Sequence, residues 1–150
     1  MLTPEQIIAE LGLQPLPVEG GFWAQTWRTE DGTGIYYLMS GGGFSALHRL
    51  KHPEVFSYHA GSPARMLLLH PGGRVEQPVL GLDLAAGQRP QVVVPAGVWQ
   101  ASEPIGDWSL LGTFMAPPYT DEVIDFPAGD ELLVAYPEFA GEIRRLSPQE

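Results

Sequence analysis

The chain predicts an all-β body, a sandwich or barrel of short antiparallel strands, with one short helix at the N-terminus and helical segments at the C-terminus. Three observations carry this. Fifteen prolines and eighteen glycines interrupt the 150 residues too often for a helical bundle. Between them lie about ten short runs rich in Val, Leu, Tyr, Trp and Phe, with no helical stretch separating them as a parallel sheet requires. Helical spacing of apolar residues occurs only at the two ends.

The elements follow in order. Thr3 can cap a helix, Pro4 suits its first position, and Gln6 completes a capping box before Ile7, Ile8 and Leu11; Gly12 ends it. Strand-like runs then cover 22–28, 35–40, 44–50, 55–60, 65–70, 75–80, 91–94, 99–103, 108–114 and 123–126. Turn residues punctuate them: Asp31-Gly32, Gly41 to Gly43, Gly61-Ser62-Pro63, Pro71-Gly72-Gly73, Ala86-Gly87 and Gly106-Asp107. Asp130 can cap a helix with Leu132, Leu133 and Tyr136 on one face, halted by Pro137. A last amphipathic segment carries Phe139, Ile143 and Leu146. The length suits one core, so residues 1–150 read as one domain without repeat, linker or low-complexity tract.

Composition narrows the class of function. The chain has no cysteine, hence neither disulfides nor thiolate metal sites. The N-terminus lacks the basic region and apolar run of a signal peptide, and no apolar run approaches the ~20 residues that span a bilayer. A cytoplasmic protein without membrane contact is expected. A net charge of -10, with one lysine and seven arginines, argues against nucleic acid as a partner.

The most informative stretch runs from Gly42 through His48 to Glu54 and on to Gly61. It reads as two inward-facing strands carrying a histidine and a glutamate that meet inside a barrel. Residues two apart share a face, which groups His48 with Ala46 and Phe44, and Glu54 with Phe56 and Tyr58. The turn Pro95-Ala96-Gly97 leads into Val98-Trp99-Gln100. Together these segments predict a pocket lined by His48, Glu54, Gln100 and Trp99 that binds a small polar ligand.

Two chemistries use the same residues. In the first, His48 is a proton-transfer base and Glu54 its orienter, since a neighbouring carboxylate stabilises the charged imidazole. In the second, a divalent metal takes the His48 nitrogen, the Glu54 carboxylate and the Gln100 carbonyl oxygen. One nitrogen donor holds such an ion weakly, so a metal-free, hydrogen-bonded pocket is preferred. Phe56, Tyr58 and Trp99, with Phe22, Trp23 and Tyr37, can stack on a sugar or planar ligand. Glu19 is a candidate pocket acid, Arg28 and Arg49 can clamp a carboxylate or phosphate, and Gln91 completes the ligand-binding set. His52 and His70 adjoin turns and read as solvent-facing. No Ser-His-Asp signature, phosphate-cradling loop or dinucleotide fingerprint occurs, because Gly41-Gly42-Gly43 precedes a strand.

The spacing of Gly42, His48, Glu54 and Gly61 resembles the first cupin motif, with Leu50 where a second histidine is usual. Pro95-Ala96-Gly97 is similar to the turn of the second motif, with Gln100 in place of its histidine and Pro104 in place of its asparagine. The chain resembles one branch in particular, cupin family 5, from end to end. The matching segments include Val18-Glu19-Gly20-Gly21-Phe22, Trp27-Arg28, Ile35-Tyr36-Tyr37-Leu38, Phe44 to Arg49, Val79-Leu80-Gly81, Pro90 to Ala101 and Ser109 to Gly112. It departs where the family often has Pro-His-Pro-Glu-Gly-Gly, here Pro15-Leu16-Pro17-Val18-Glu19, and where an Ile-Trp-His run is replaced by Val55-Phe56-Ser57.

The resemblance implies a double-stranded β-helix jelly roll, commonly a homodimer. Ser45-Ala46-Leu47-His48 is also similar to the position of the catalytic histidine in deoxysugar epimerases of the cupin fold. There a tyrosine serves as acid, and Tyr37, Tyr58 and Tyr119 are candidates that the sequence does not separate; Tyr37 joins His48 and Glu54 in the expected catalytic set. By that analogy the ligand is a sugar or nucleotide-sugar derivative and the activity isomerase-like or epimerase-like. A non-catalytic binding module and a weak metal-dependent oxygenase or isomerase are the alternatives.

Overall fold

A computed structural model describes residues 1–149. Helix α1 (Pro4–Leu11) begins with the capping box expected of Thr3 and Gln6 and stops at Gly12 in the left-handed conformation. Twelve strands follow: β1 (Gln14–Pro15), β2 (Phe22–Arg28), β3 (Thr33–Ser40), β4 (Ser45–Leu50), β5 (Glu54–Gly61), β6 (Ala64–Leu69), β7 (Val75–Glu76), β8 (Val79–Leu80), β9 (Gln91–Val94), β10 (Trp99–Pro104), β11 (Trp108–Met115) and β12 (Ile124–Asp125). Helices α2 (Glu131–Ala135) and α3 (Ala140–Leu146) close the described chain. No helix among the described residues is long and apolar enough to cross a membrane.

The strands form two antiparallel sheets, ordered β1-β2-β3-β11-β5-β9 and β12-β4-β10-β6-β7, with β8 also paired to β6. Their inner faces enclose Tyr37, Met39, Phe56, Met66, Leu68 and Leu111. Much of the outer face of the second sheet is covered as well. Leu47, Leu67, Leu69 and Trp99 pack there under Leu132, Tyr136, Ile143 and Leu146 of the C-terminal segment. On the first sheet, α1 covers Leu38 through Ile7.

Three details differ from the sequence reading. The run 75–80 divides into β7 and β8 around Gln77-Pro78, because proline offers no N–H to a ladder. Asp130 precedes α2 but makes no side-chain capping bond. His70 is buried, not solvent-facing: its Nε2 donates to Glu76 Oε1 at 2.5 Å, Nδ1 accepts from Arg74, and its carbonyl accepts from the Tyr136 hydroxyl.

The site is positioned by one crossing. β4 belongs to the second sheet and β5 to the first, so Lys51-His52-Pro53 carries the chain across the barrel mouth. His48 and Glu54 are thereby placed on opposite walls. Gln100 pairs beside His48 in the β10–β4 ladder.

Candidate functional site

Between the sheets lies a cavity of about 460 Å³, within the range of small-molecule sites. His48, Glu54, Glu19 and Tyr37 line it, with Thr113 on β11. Trp23, Ile35, Leu50, Phe56 and Met115 supply an apolar wall. Gln25, Arg28, Tyr119 and Asp121 also line it.

His48 is 2% exposed, and its orientation is set by its own strand. Nδ1 lies 2.7 Å from the Ala46 carbonyl, which can only accept, so the Nδ1 proton is committed there. Nε2 is therefore the working nitrogen. It lies 3.8 Å from Glu19 Oε1, close enough for charge attraction and too far for a hydrogen bond. The orienting group expected in Glu54 is thus the Ala46 carbonyl, and the carboxylate facing Nε2 is Glu19.

Glu19 arrives on a constrained loop. Val18 holds φ 66, an outlier for a β-branched residue. The Glu19 carbonyl accepts from the Ala46 N–H at 2.7 Å, and Ser45 Oγ donates to Glu19 Oε2 at 2.9 Å. Both bonds dock the loop on β4. Gly21, at φ 79, must be glycine for a second reason: a Cβ there would overlap the Tyr37 ring. Tyr37 donates its hydroxyl proton to the Gly20 carbonyl. Burial holds its pKa well above the ordinary phenol range, and the Glu19 charge acts in the same direction.

Glu54 sits across the cavity, 7% exposed. Gln100 Nε2 donates to its Oε1 at 3.2 Å. Burial pushes the Glu54 carboxyl up to about 7; the nearby His48 opposes this, Glu19 adds to it, and hydrogen bonds from Thr113 and Gln100 oppose it. Near neutral pH it is poised between acid and carboxylate. Tyr119 is raised to about 12, chiefly by burial and then by Asp121.

The sequence-derived ligand set divides by location. Glu19, Arg28 and Phe56 line the cavity. Gln100 does not line it but reaches from β10, on the facing sheet, to donate to Glu54. Trp99 lies outside, because neighbours on a strand point to opposite faces and Gln100 takes the inner one. It packs under the C-terminal helices, with the Arg49 guanidinium 4.5 Å from its ring centre. Arg49 accordingly faces outward, toward Asp125. Tyr58 packs with the barrel core and donates to the Gly61 carbonyl, away from the cavity lining. Gln91 is exposed on edge strand β9, bonded to Ser57 Oγ. Thr113, Gln25 and Asp121 were missed. Gln25 shares the parity of Trp23, which was a legible signal; Asp121 enters through a connection whose path no periodicity reveals.

A metal ion is tested by the donors. Leu50 and Gln100 occupy the positions of two customary imidazoles, and Gln100 is turned to donate to Glu54. Among the described residues no three His, Cys, Asp or Glu side chains are grouped to hold an ion. The donor set does not fit the usual cupin metal.

The profile described as Cupin superfamily (DUF985) matches residues 5–126. The chain belongs to this family. A Shewanella oneidensis protein solved by X-ray crystallography is 33% identical to this cupin and superposes with a TM-score of 0.93, covering 100% of both chains. A hypothetical protein from Leishmania major, 22% identical, gives a TM-score of 0.89 over 99% of this cupin and 100% of that chain. A dTDP sugar isomerase from Desulfovibrio desulfuricans is 16% identical, with a TM-score of 0.57 over 79% of this cupin and 82% of that chain. The last two likenesses are of fold alone. Comparison with curated proteins finds no match.

Proposed function

We propose that this cupin is a proton-transfer enzyme, isomerase-like or epimerase-like, acting on a small sugar-type ligand. The observation that carries the proposal is the His48 ring, with Nδ1–H held on the Ala46 carbonyl and Nε2 turned toward Glu19 in the cavity. Nε2 removes a proton from a hydroxyl-bearing carbon beside a carbonyl. The C–H electron pair moves into the carbonyl, and the oxygen takes the proton of Glu54 to give an enediol. The imidazolium then returns its proton to the former carbonyl carbon while ionised Glu54 takes the proton of the neighbouring hydroxyl, which restores a carbonyl one carbon along and completes the isomerisation. Glu54 replaces Tyr37 as the acid, since the Tyr37 proton is committed to Gly20 and tightly held. Glu19 is a positioning residue that stabilises the imidazolium. The aromatic wall of Trp23 and Phe56 suits a sugar ring, and the fold likeness to a sugar isomerase agrees with this class.

The test needs no known product. Aldose, ketose and sugar-phosphate panels incubated with the protein in heavy water are read by proton NMR for loss of the C–H beside the carbonyl. Exchange abolished by His48→Asn, with the melting temperature unchanged, supports the proposal. Saturable binding without exchange replaces it with a non-catalytic binding module. A homodimer is part of the same proposal, and a monomer by light scattering overturns that part.

A further inference from the structure

The inner lining of the cavity is acidic. Glu19 and Glu54 stand near His48, and Asp121 also lines the site. An anionic ligand group beside Glu19, or beside Glu54 once it has given up its proton, meets like charge with little water to screen it. Arg28 is the one Arg or Lys side chain among the described lining residues.

Its place there depends on a bulge. The β2–β3 register runs Gln25 opposite Ile35 and then Trp27 opposite Gly34, leaving Thr26 as an extra residue. Regular alternation would put Trp27 on the face of Trp23 and Gln25, and Arg28 on the other. The added residue exchanges them. Trp27 is turned out to stack on Phe114 at 5.3 Å, while Arg28 lines the cavity.

The guanidinium is then fixed from two sides. Nε donates to Gln25 Oε1 at 2.9 Å, and one terminal nitrogen donates to the Tyr119 carbonyl at 2.8 Å. Both acceptors are neutral. Arg49, Arg74 and Arg145 each meet a carboxylate within 4.0 Å, whereas Arg28 has none among the described residues. Its other terminal nitrogen has no protein acceptor there either. A guanidinium oriented by neutral groups keeps its charge and a donor edge for a planar or tetrahedral oxyanion.

We infer that the ligand carries one anionic group, a phosphate or a carboxylate, which Arg28 holds while the neutral, hydroxyl-bearing end reaches His48. This deepens the proton-transfer reading and rests on it for which end reacts. Sugar phosphates and sugar acids have this form.

The test is a titration of isotope-labelled protein with glucose 6-phosphate, glucuronate and glucose, with sodium chloride as the ionic-strength control. NMR reads the Arg28 side-chain Nε–H and the Tyr119 and Thr120 amides. Saturable shifts at these groups with one anionic sugar, stronger than with glucose, are expected, and the stronger of the two names the anion. Arg28→Gln should weaken that binding about tenfold, the loss of a charge-assisted contact. Arg28→Lys, which keeps charge without the fork, should fall between. Shifts that match chloride at equal ionic strength, or equal binding of all three sugars unaffected by Arg28→Gln, overturn the inference. Binding at Arg28 without any exchange in heavy water would sink the proton-transfer reading alone. Exchange abolished by His48→Asn, with no anion preference, would sink this inference alone.

Discussion

Two histidines of this cupin are buried beside carboxylates, and their surroundings differ. His70, just past β6, has both ring nitrogens occupied: Nε2 by Glu76 and Nδ1 by Arg74. Tyr136 from the C-terminal segment seals its carbonyl. His48 has one nitrogen occupied, while the other faces Glu19 across 3.8 Å beside a cavity of about 460 Å³. A histidine–carboxylate pair is therefore not by itself a site. What separates the two regions is an uncommitted nitrogen with room for a ligand next to it.

The largest effect should come from His48. His48→Asn is expected to lower the heavy-water exchange rate by about 10²–10⁴, the usual contribution of a positioned acid–base group, with little change in melting temperature. Exchange surviving this change would erase the functional distinction between the two histidines.

Glu54 sharpens the contrast through pH. Its folded value of about 7 lies above the 4.5 of a free carboxyl, so the folded protein holds this proton to higher pH than the unfolded chain. Stability should fall as pH rises from about 4.5 to about 7, and the cost of ionising this buried group above that range is about 3 kcal/mol. Glu54→Gln should remove that slope, gaining relative to the unmodified protein at about pH 8 and not at about pH 4. Urea unfolding at the two pH values reads it. Parallel curves for the two proteins would show that Glu54 ionises normally.

His70→Ala should do the reverse of His48→Asn. It leaves Glu76 and Arg74 paired only with each other and empties the buried place of the ring, costing about 1–3 kcal/mol in urea unfolding while exchange at His48 continues. A loss of exchange without loss of stability would assign His70 to the chemistry.

Glu19→Gln retains the Ser45 contact and removes the charge opposite Nε2. We expect about a tenfold lower exchange rate and an altered pH profile, a signature that a purely structural role would not produce. The smallest effect belongs to Trp99. Trp99→Phe should cost about 0.5–1 kcal/mol from the weakened contact with Arg49 and leave ligand binding unaltered. A change in ligand affinity would return Trp99 to the site.

Sequence alone determined the strand-rich body, the helix bounded by Thr3 and Gly12, and the presence of His48 and Glu54 on inward faces. These are local matters: turn residues, capping groups and alternation act within a few positions, and they survive into the structure. Alternation also contained the answer for Trp99, since it and Gln100 cannot share a face. Arg28 is the opposite case, because the bulge at Thr26 reverses the parity of the residues after it, and a bulge is fixed by the pairing of β2 with β3. Tertiary structure also decided which carboxylate faces which nitrogen. Glu19 and His48 are far apart in the chain and meet only because the Glu19 loop docks on β4 through Ala46 and Ser45. The raised Glu54 pKa has the same origin: desolvation depends on everything packed around a carboxyl, and no pattern along one strand records it.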